Sequence, residues 1–233
     1  MATRRKISVA RAPVASDTVV AWLERTGTKK VRDGMVRYGI PATHAFGVTV
    51  GALKAYAKTI GRDHALAQAL WKTGHYEARM LASFIGDPSA LTAKQMDAWA
   101  SDFDNWAICD TVCFHLFDRT PLAWPRVHAW ASARAEFKKR AAFALIWGLS
   151  VHDKTAEEAR FLECFPLIER ASEEDREYVR KAVDMALRAL GKKRNPKLAA
   201  AARELAQRLS ESELRSQALI GRSALRELGK ARR

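Results

Sequence analysis

Signals for α-helices follow one another along almost the whole of this 233-residue chain, and signals for β-strands are nearly absent. Capping sequences such as Ser172-Glu-Glu-Asp175 precede apolar residues at helical spacing, here with Val179 and Val183 on one face and Gly191 at the end. The one short alternation of strand type, Val48-Thr49-Val50, lies between two glycines and leads into a helix. The sequence therefore predicts an all-α fold.

Short connections rich in Gly, Asp and Pro separate the predicted helices. In residue numbers these helices span 16–26, 30–38, 49–60, 63–72, 76–84, 92–103, 105–117, 121–131 and 134–149, and three more begin at Thr155, Ser172 and Ser210. Helix pairs recur about every 30 to 40 residues, which is the scale of helical repeat arrays. This period favours a helical-repeat solenoid with a long concave surface, and a compact helical bundle is the alternative.

No domain boundary is evident in the sequence. We expect a single helical-repeat domain over residues 15–229, preceded by a loosely ordered basic segment, residues 1–14, and followed by a basic tail, residues 230–233. No stretch reaches the roughly 20 apolar residues of a membrane span, and the N-terminus lacks the apolar region of a secretory signal. We therefore expect a cytoplasmic protein with no membrane contact. Because a helical-repeat array is complete within one chain, we also expect a monomer.

The charge of the chain favours a polyanionic partner. Lys and Arg total 40 against 26 Asp and Glu, which gives a formal net charge of +14. Residues 188–233 alone hold 13 basic and four acidic residues, so a net +9 lies in this last stretch. Nucleic acid is the partner that this distribution favours, and a merely solvated basic tail is the alternative.

The cysteines and glycines exclude several classes of chemistry. Three cysteines are an odd number and do not suit a disulfide framework. Cys109 and Cys113 share a helical face, but no matching Cys or His pair accompanies them, so we predict small buried residues and no metal site. Neither a Gly-rich phosphate loop nor a Gly-rich nucleophile elbow is present, so hydrolase chemistry of the triad kind has no support in the sequence.

Trp106 and Asp110 lie four residues apart in a predicted helix and therefore share one of its faces. A carboxylate is unexpected on a surface that attracts phosphates, unless a cation has to be bound there. The alternative is structural: Trp106 would fill the core, and Asp110 would accept a hydrogen bond or pair with an arginine.

Several short motifs lie in a fixed order over about residues 30 to 190 of the chain. They are Arg37-Tyr38, Phe46-Gly47-Val48, Leu70-Trp71, Tyr76-Glu77-Ala78-Arg79, Trp106-x-x-x-Asp110, Arg140-Ala-Ala and Ala186-Leu187-Arg188. In this order and spacing the chain resembles the AlkD-like DNA alkylation repair enzymes, which are DNA glycosylases built from HEAT-type helical repeats. The resemblance therefore implies a HEAT-like helical-repeat solenoid with a concave basic face.

The resemblance implies base excision repair of duplex DNA. It implies hydrolysis of the N-glycosidic bond of positively charged alkylated purines, such as N3-methyladenine and N7-methylguanine, with no metal or cofactor and no deep pocket for the lesion. Asp110 matches the family's catalytic carboxylate, and Trp106 matches an aromatic residue that packs against the deoxyribose. Arg140 and Arg188 match residues that hold the backbone phosphate, and Tyr38 matches a residue close to the DNA.

The chemistry agrees with these residue types. An N-alkylated purine is already a good leaving group, and positive charge develops on the sugar as the bond breaks. A preorganised carboxylate stabilises such a charge by about 3 kcal/mol or more, and an indole face adds about 0.5–2 kcal/mol. Lys139, Arg140 and Arg188 would contact phosphates without reading the base sequence.

One position departs from the family's pattern. The second active-site tryptophan falls at Met185, which has no aromatic face for a cation, and Trp147 is a candidate substitute. Three functions therefore stay open: an alkylpurine DNA glycosylase, a non-catalytic binder of damaged, bent or branched nucleic acid, and a protein–protein scaffold.

Overall fold

The computed structural model describes residues 14–230 of the chain, and within this range it contains α-helices, three short 3₁₀ turns and no strand. The helices are α1 Ser16–Thr26, α2 Lys29–Met35, α3 Val50–Ile60, α4 His64–Lys72, α5 Tyr76–Ile85, α6 Ala93–Ser101, α7 Trp106–His115, α8 Ala123–Trp130, α9 Glu136–His152, α10 Glu158–Leu162, α11 Cys164–Ala171, α12 Glu177–Lys192, α13 Pro196–Ser210 and α14 Arg215–Lys230. The 3₁₀ turns are Val36–Tyr38, Pro88–Ala90 and Phe117–Arg119. Residues 1–13 of the predicted N-terminal segment and 231–233 of the predicted tail lie outside the described residues. Among the described helices, none has the length and apolar character needed to cross a membrane.

The helix boundaries predicted up to residue 149 agree with the structure to within three residues. Side-chain caps explain this accuracy at the starts of α2, α3, α4, α6 and α7, since a polar side chain at the N-cap accepts a backbone N–H that the helix leaves unpaired. Asn105, for example, is the N-cap of α7. Its side chain accepts the N–H of Ile108 at 3.0 Å, and the helix begins at the next residue, Trp106.

The three later helix starts are wrong by three to five residues, because the polar side chains there bond differently. The Asp153 carboxylate accepts the N–H groups of Thr155 and Ala156 at 3.1 and 2.9 Å, which holds a turn ahead of α10. Ser172 and Ser210 each donate a hydroxyl to the carbonyl three residues earlier, at 2.5 and 2.8 Å. These serines therefore belong to the ends of α11 and α13 rather than to the starts of the next helices.

Helices α3, α5, α7, α9, α12 and α14 form a continuous layer in which each helix packs against the next, and α4, α8 and α13 pack against members of this layer. Every helix of the layer buries apolar side chains completely. Examples taken in chain order are Leu53, Leu81, Val112, Phe143, Val183 and Ala224. Burial of a large aliphatic or aromatic side chain contributes about 1.5–3 kcal/mol relative to exposure, so this layer is both the core and a stiff support for residues on its surface.

The loop between the Val36–Tyr38 turn and α3 is held by the fully buried carboxylate of Glu77 in α5. Glu77 accepts the backbone N–H groups of Phe46, Gly47 and Val48 at 2.9, 2.7 and 3.1 Å. Gly47 has a φ of +89°, and a Cβ there would lie 2.2 Å from the carbonyl oxygen of Thr28. Two motifs that are 30 residues apart in the sequence are thus one contact, which fixes where the loop crosses the helical layer.

Candidate functional site

The Val36–Tyr38 turn and helices α7, α9 and α12 enclose a cleft of about 680 Å³, called here the main cleft. Its lining contains the sequence-predicted residues Tyr38, Trp106, Asp110, Arg140 and Arg188, together with Met185. The successive packing of α7, α9 and α12 brings these side chains together from positions up to 150 residues apart. Because they come from rigid helices, their relative positions are set before any ligand arrives.

Asp110 and Arg140 form a bidentate ion pair at the base of the main cleft. Nε of Arg140 donates to one carboxylate oxygen at 2.8 Å and Nη2 donates to the other at 2.6 Å, while Nη1 donates to the carbonyl of Tyr178 at 2.5 Å. The exposed fractions of the side chains are 13% for Asp110 and 6% for Arg140. This geometry fits an ionised carboxylate, since both oxygens act as acceptors.

The electrostatics of this pair follow from its burial. Burial raises the pKa of Asp110, although the hydrogen bonds and the charge of Arg140 act in the opposite direction. Burial also acts to lower the pKa of Arg140, but the hydrogen bonds to Asp110 and its negative charge outweigh it, so the pKa of the guanidinium is raised. The alternative considered from the sequence, in which Asp110 pairs with an arginine, is therefore also correct, and this pair lies within the main cleft.

Trp106 and Tyr178 join the N-terminal part of the chain to the later helices. Nε1 of Trp106 donates to the carbonyl of Tyr38 at 2.8 Å, and the Tyr178 hydroxyl donates to the carbonyl of Gly39 at 3.4 Å, across 68 and 139 residues of sequence. Gly39 has a φ of +68°, and a Cβ there would lie 2.4 Å from the Tyr178 hydroxyl oxygen. The ring of Tyr38, with 64% of the residue exposed, consequently lies at the rim of the main cleft.

Most of the cations in the main cleft are already paired with carboxylates. Arg188 bonds to Asp184 at 3.1 Å within α12, and Lys181 bonds to Glu177 at 2.7 Å. Burial raises the pKa of Asp184, whose carboxylate also accepts the hydroxyl of Ser223 at 3.1 Å. Arg37 is the cation of this lining with no ion pair among the described residues, and its guanidinium lies 5.9 Å from the ring centroid of Tyr38.

Lys139 does not belong to the lining of the main cleft. Its ammonium is 3.0 Å from the carboxylate of Glu174, which Arg176 also contacts at 2.6 Å. Consecutive residues of a helix do not share a face, so the neighbours Lys139 and Arg140 point to different surroundings. A contact between Lys139 and DNA stays a prediction.

An apolar pocket of about 480 Å³ adjoins the main cleft and shares Trp106, Asp110 and Met185 with it. Trp147 also lines this pocket, with its indole stacked on Phe114 at a centroid distance of 4.2 Å and an interplanar angle of 25°. The structure therefore brings Trp147 and Met185 to one space, which the sequence did not predict. We call this space the aromatic pocket.

A second cationic surface lies beyond the aromatic pocket and was missed in the sequence. It consists of Lys54 and Lys58 of α3, Arg62 after it, and Arg119 of the Phe117–Arg119 turn, around a depression of about 430 Å³. The residues that line this depression include no carboxylate. We call it the Lys54 cluster. Lys54, Lys58 and Arg62 follow one another at four-residue spacing, so this part of the cluster was visible in the sequence, and only Arg119 comes from a distant segment.

The cysteine thiols are buried and contact the protein backbone. Cys109 and Cys113 are buried, and their thiols lie against the backbone carbonyls of Phe137 and Ala141 in α9, at 3.4 and 3.7 Å. Within residues 14–230, no group of three or more His, Cys, Asp or Glu side chains is arranged to hold a metal ion. These thiols therefore contribute to the packing of α7 against α9.

Comparison with known proteins identifies the family and the fold. The family model described as a DNA alkylation repair enzyme matches residues 19–228. A solved structure matches 94% of this chain and 96% of its own at 23% sequence identity, with a TM-score of 0.79; it is described as belonging to a new family of proteins related to the HEAT-like repeat DNA glycosylases with affinity for branched DNA structures. No curated protein matches the chain in sequence. The predicted HEAT-like helical-repeat fold is thus confirmed, and the chain belongs to the family of DNA alkylation repair enzymes.

Proposed function

We propose that the protein is a DNA glycosylase that hydrolyses the N-glycosidic bond of positively charged alkylated purines, of the N3-methyladenine and N7-methylguanine type, in duplex DNA. The observation that carries this proposal is the position of Asp110, a carboxylate held rigidly beside Trp106 in a cleft that also contains Arg37, Lys181 and Arg188. In base excision repair such an enzyme would release the damaged base and leave an abasic site.

The proposed role of Asp110 is to stabilise the positive charge that develops on the deoxyribose. The alkylated base leaves as a neutral molecule, so the reaction needs no general acid. Arg140 fixes the carboxylate with two hydrogen bonds, and each oxygen keeps a second lone pair that can face the sugar or orient water. Fixed charges of this kind act without reorganising during the reaction. Trp106 would pack against the sugar and exclude water from one side of it.

Backbone phosphates would bind around this centre. Arg37 is exposed and unpaired among the described residues, whereas Lys181 and Arg188 would each have to share their cation between a carboxylate and a phosphate. Three of the five N–H groups of Arg140 are already donated, so its contact with a phosphate stays a prediction. Tyr38 at the rim would lie against the DNA. These contacts supply affinity without sequence preference. We propose that the protein binds DNA as a monomer and that it is located in the cytoplasm.

A base-release assay tests this proposal. The protein is incubated in excess with duplex DNA that contains a single N7-methylguanine, and the abasic sites formed are cleaved by alkali and counted. We expect release above the spontaneous rate, measured in parallel without protein. Saturated binding of the duplex with no release above that background would refute the glycosylase proposal.

A non-catalytic binder of branched DNA is the second candidate, and two features favour it. Met185 stands where the resemblance places an aromatic residue, and Asp110 is neutralised by Arg140. The solved structure of similar fold is itself described as having affinity for branched DNA structures. This candidate predicts tight, salt-dependent binding of a three-way junction and no base release, either from the natural chain or from Met185→Trp. The glycosylase proposal predicts release by both, with Met185→Trp at least as fast.

A further inference from the structure

The aromatic pocket lies between the main cleft and the Lys54 cluster and is continuous with both. It shares Trp106, Asp110 and Met185 with the main cleft, and it shares Lys54, Phe84 and His115 with the Lys54 cluster. The three spaces therefore form one groove, with ionic groups at its two ends and apolar groups in its middle. The proposed glycosylase chemistry uses only one end of this groove.

The walls of the aromatic pocket are unusual for the surface of a helical repeat. Phe84, Trp106, Phe114 and Trp147 are only partly buried there, so their rings face an open space of about 480 Å³. Apolar surface in an open cavity is unfavourable in water, and pockets of about 300–1,000 Å³ with such walls are typical of small-molecule and cofactor sites. The pocket is thus suited to a flat, largely apolar group.

The polar groups at the edge of the pocket suit hydrogen bonding to such a group. Asp110, Thr111 and His115 contribute an acceptor, a hydroxyl and an imidazole. Burial, with smaller contributions from Lys54 and Arg119, lowers the pKa of His115 to about 4. At neutral pH its ring therefore carries one N–H donor and one acceptor nitrogen, the combination that also occurs on the edges of nucleobases.

The charges on either side limit what the occupant is attached to. The Lys54 cluster presents Lys54, Lys58, Arg62 and Arg119 around a depression without a carboxylate in its lining. Arg119 also pairs with Asp118, which lies 3.2 Å away and outside this lining, whereas Arg37 at the opposite end of the groove has no ion pair among the described residues. An occupant with an anionic group on each side of a flat ring matches this pattern, and one nucleotide within a DNA strand has that form.

We propose that the aromatic pocket binds one unpaired nucleobase displaced from the helix at a bulge or branch point, while the Lys54 cluster and the main cleft hold the phosphates on its two sides. The inference rests on the proposed DNA binding but not on catalysis. The alkylated purine can stay stacked in the duplex, because the displaced base is a different nucleotide.

The test compares two duplexes that differ only at a one-nucleotide bulge, which is adenosine in one and a tetrahydrofuran abasic analogue in the other. Equilibrium affinities for the two duplexes are compared at the same salt concentration, and the comparison is repeated over a series of salt concentrations. We expect the adenine bulge to bind about tenfold tighter or more, the value of one stacked base. Trp147→Ala removes a wall of the pocket and Met185→Trp fills it, so each variant should bring the affinity ratio close to one.

Trp22→Ala is the matched control, because Trp22 is another half-buried tryptophan, stacked on Tyr56 at 4.0 Å, and does not line the pocket. It should keep the preference for the adenine bulge. Lys54→Ala combined with Lys58→Ala should weaken both duplexes equally and reduce the salt dependence of binding by about two phosphate contacts. Circular dichroism verifies that each variant is folded, and if Trp147→Ala is not, Met185→Trp decides.

Equal affinity of the natural chain for the two bulges, with both bound in a salt-dependent manner, would overturn the pocket proposal and leave the proposed DNA binding intact. A preference for the adenine bulge that persists in Met185→Trp and Trp147→Ala would also overturn it. Failure to bind either duplex would overturn this inference and the proposed function together. A clear base preference, combined with no base release from the duplex that carries N7-methylguanine, would support the pocket and refute only the glycosylase chemistry.

Discussion

Replacing Asp110 with asparagine removes one charge of a buried pair and leaves the other in place. The asparagine can offer one carbonyl oxygen to Arg140, but its amide nitrogen faces a guanidinium N–H and cannot accept. One of the two bonds, now 2.8 and 2.6 Å long, is therefore lost, and the guanidinium keeps one bond to the asparagine and one to the carbonyl of Tyr178. Breaking a buried pair in this way costs about 3–5 kcal/mol. Because both side chains retain some contact with water, we expect a loss of about 2–4 kcal/mol in the free energy of unfolding.

Urea unfolding followed by circular dichroism measures this loss, and a double-mutant cycle isolates the pair. The cycle combines Asp110→Asn with Arg140→Met, and we expect the double variant to be about 2 kcal/mol more stable than the sum of the single effects predicts. Asp184→Asn is the control, because its ion pair with Arg188 is more exposed and should cost about 1 kcal/mol or less. Additive effects of Asp110→Asn and Arg140→Met would refute the reasoning that the two charges depend on each other.

Three further predictions follow from contacts elsewhere. Glu77→Gln turns one acceptor oxygen toward the loop N–H groups into a donor, so urea unfolding should show a loss of about 2–4 kcal/mol; an unchanged midpoint would contradict this. Arg176, and then Lys139, hold the pKa of Glu174 at about 2, so its stabilising contribution is present above pH 4.5 and is lost as the pH falls through about 2. Glu174→Gln should remove this part of the pH dependence of unfolding, and parallel curves for the two proteins would count against it. In duplex binding, Arg188→Ala and Lys139→Ala should each reduce the slope of log affinity against log salt by about 0.9; a slope that either variant leaves unchanged would rule out a phosphate contact for that residue.

The sequence was sufficient for most of the helices because the signals that start and end a helix are local. Caps such as Asn105 and apolar periodicity lie within a few residues of each other. The starts predicted at Ser172 and Ser210 were wrong because a serine hydroxyl can accept from the following N–H groups or donate to a preceding carbonyl. Which bond forms depends on the packing of the two adjoining helices, and this is not encoded within the local segment.

The site was predictable in part for the same reason. The shared face of Trp106 and Asp110 follows from their spacing alone, and the structure places both in one cleft. The sequence also left open that Asp110 pairs with an arginine, but it did not name Arg140, which lies 30 residues away and reaches Asp110 only through the packing of α9 on α7. In the Lys54 cluster, packing likewise adds Arg119, whereas the four-residue spacing of Lys54, Lys58 and Arg62 was visible in the sequence.

The rate of base release under single-turnover conditions tests the central claim most directly. It compares the natural chain, Asp110→Asn and Asp184→Asn on a duplex with one N7-methylguanine, each verified to be folded at the assay temperature. If the Asp110 carboxylate stabilises the developing charge on the sugar, Asp110→Asn releases the base at least about 100-fold more slowly than the natural chain. Asp184→Asn stays close to the natural rate. Release by Asp110→Asn at the natural rate would contradict the account.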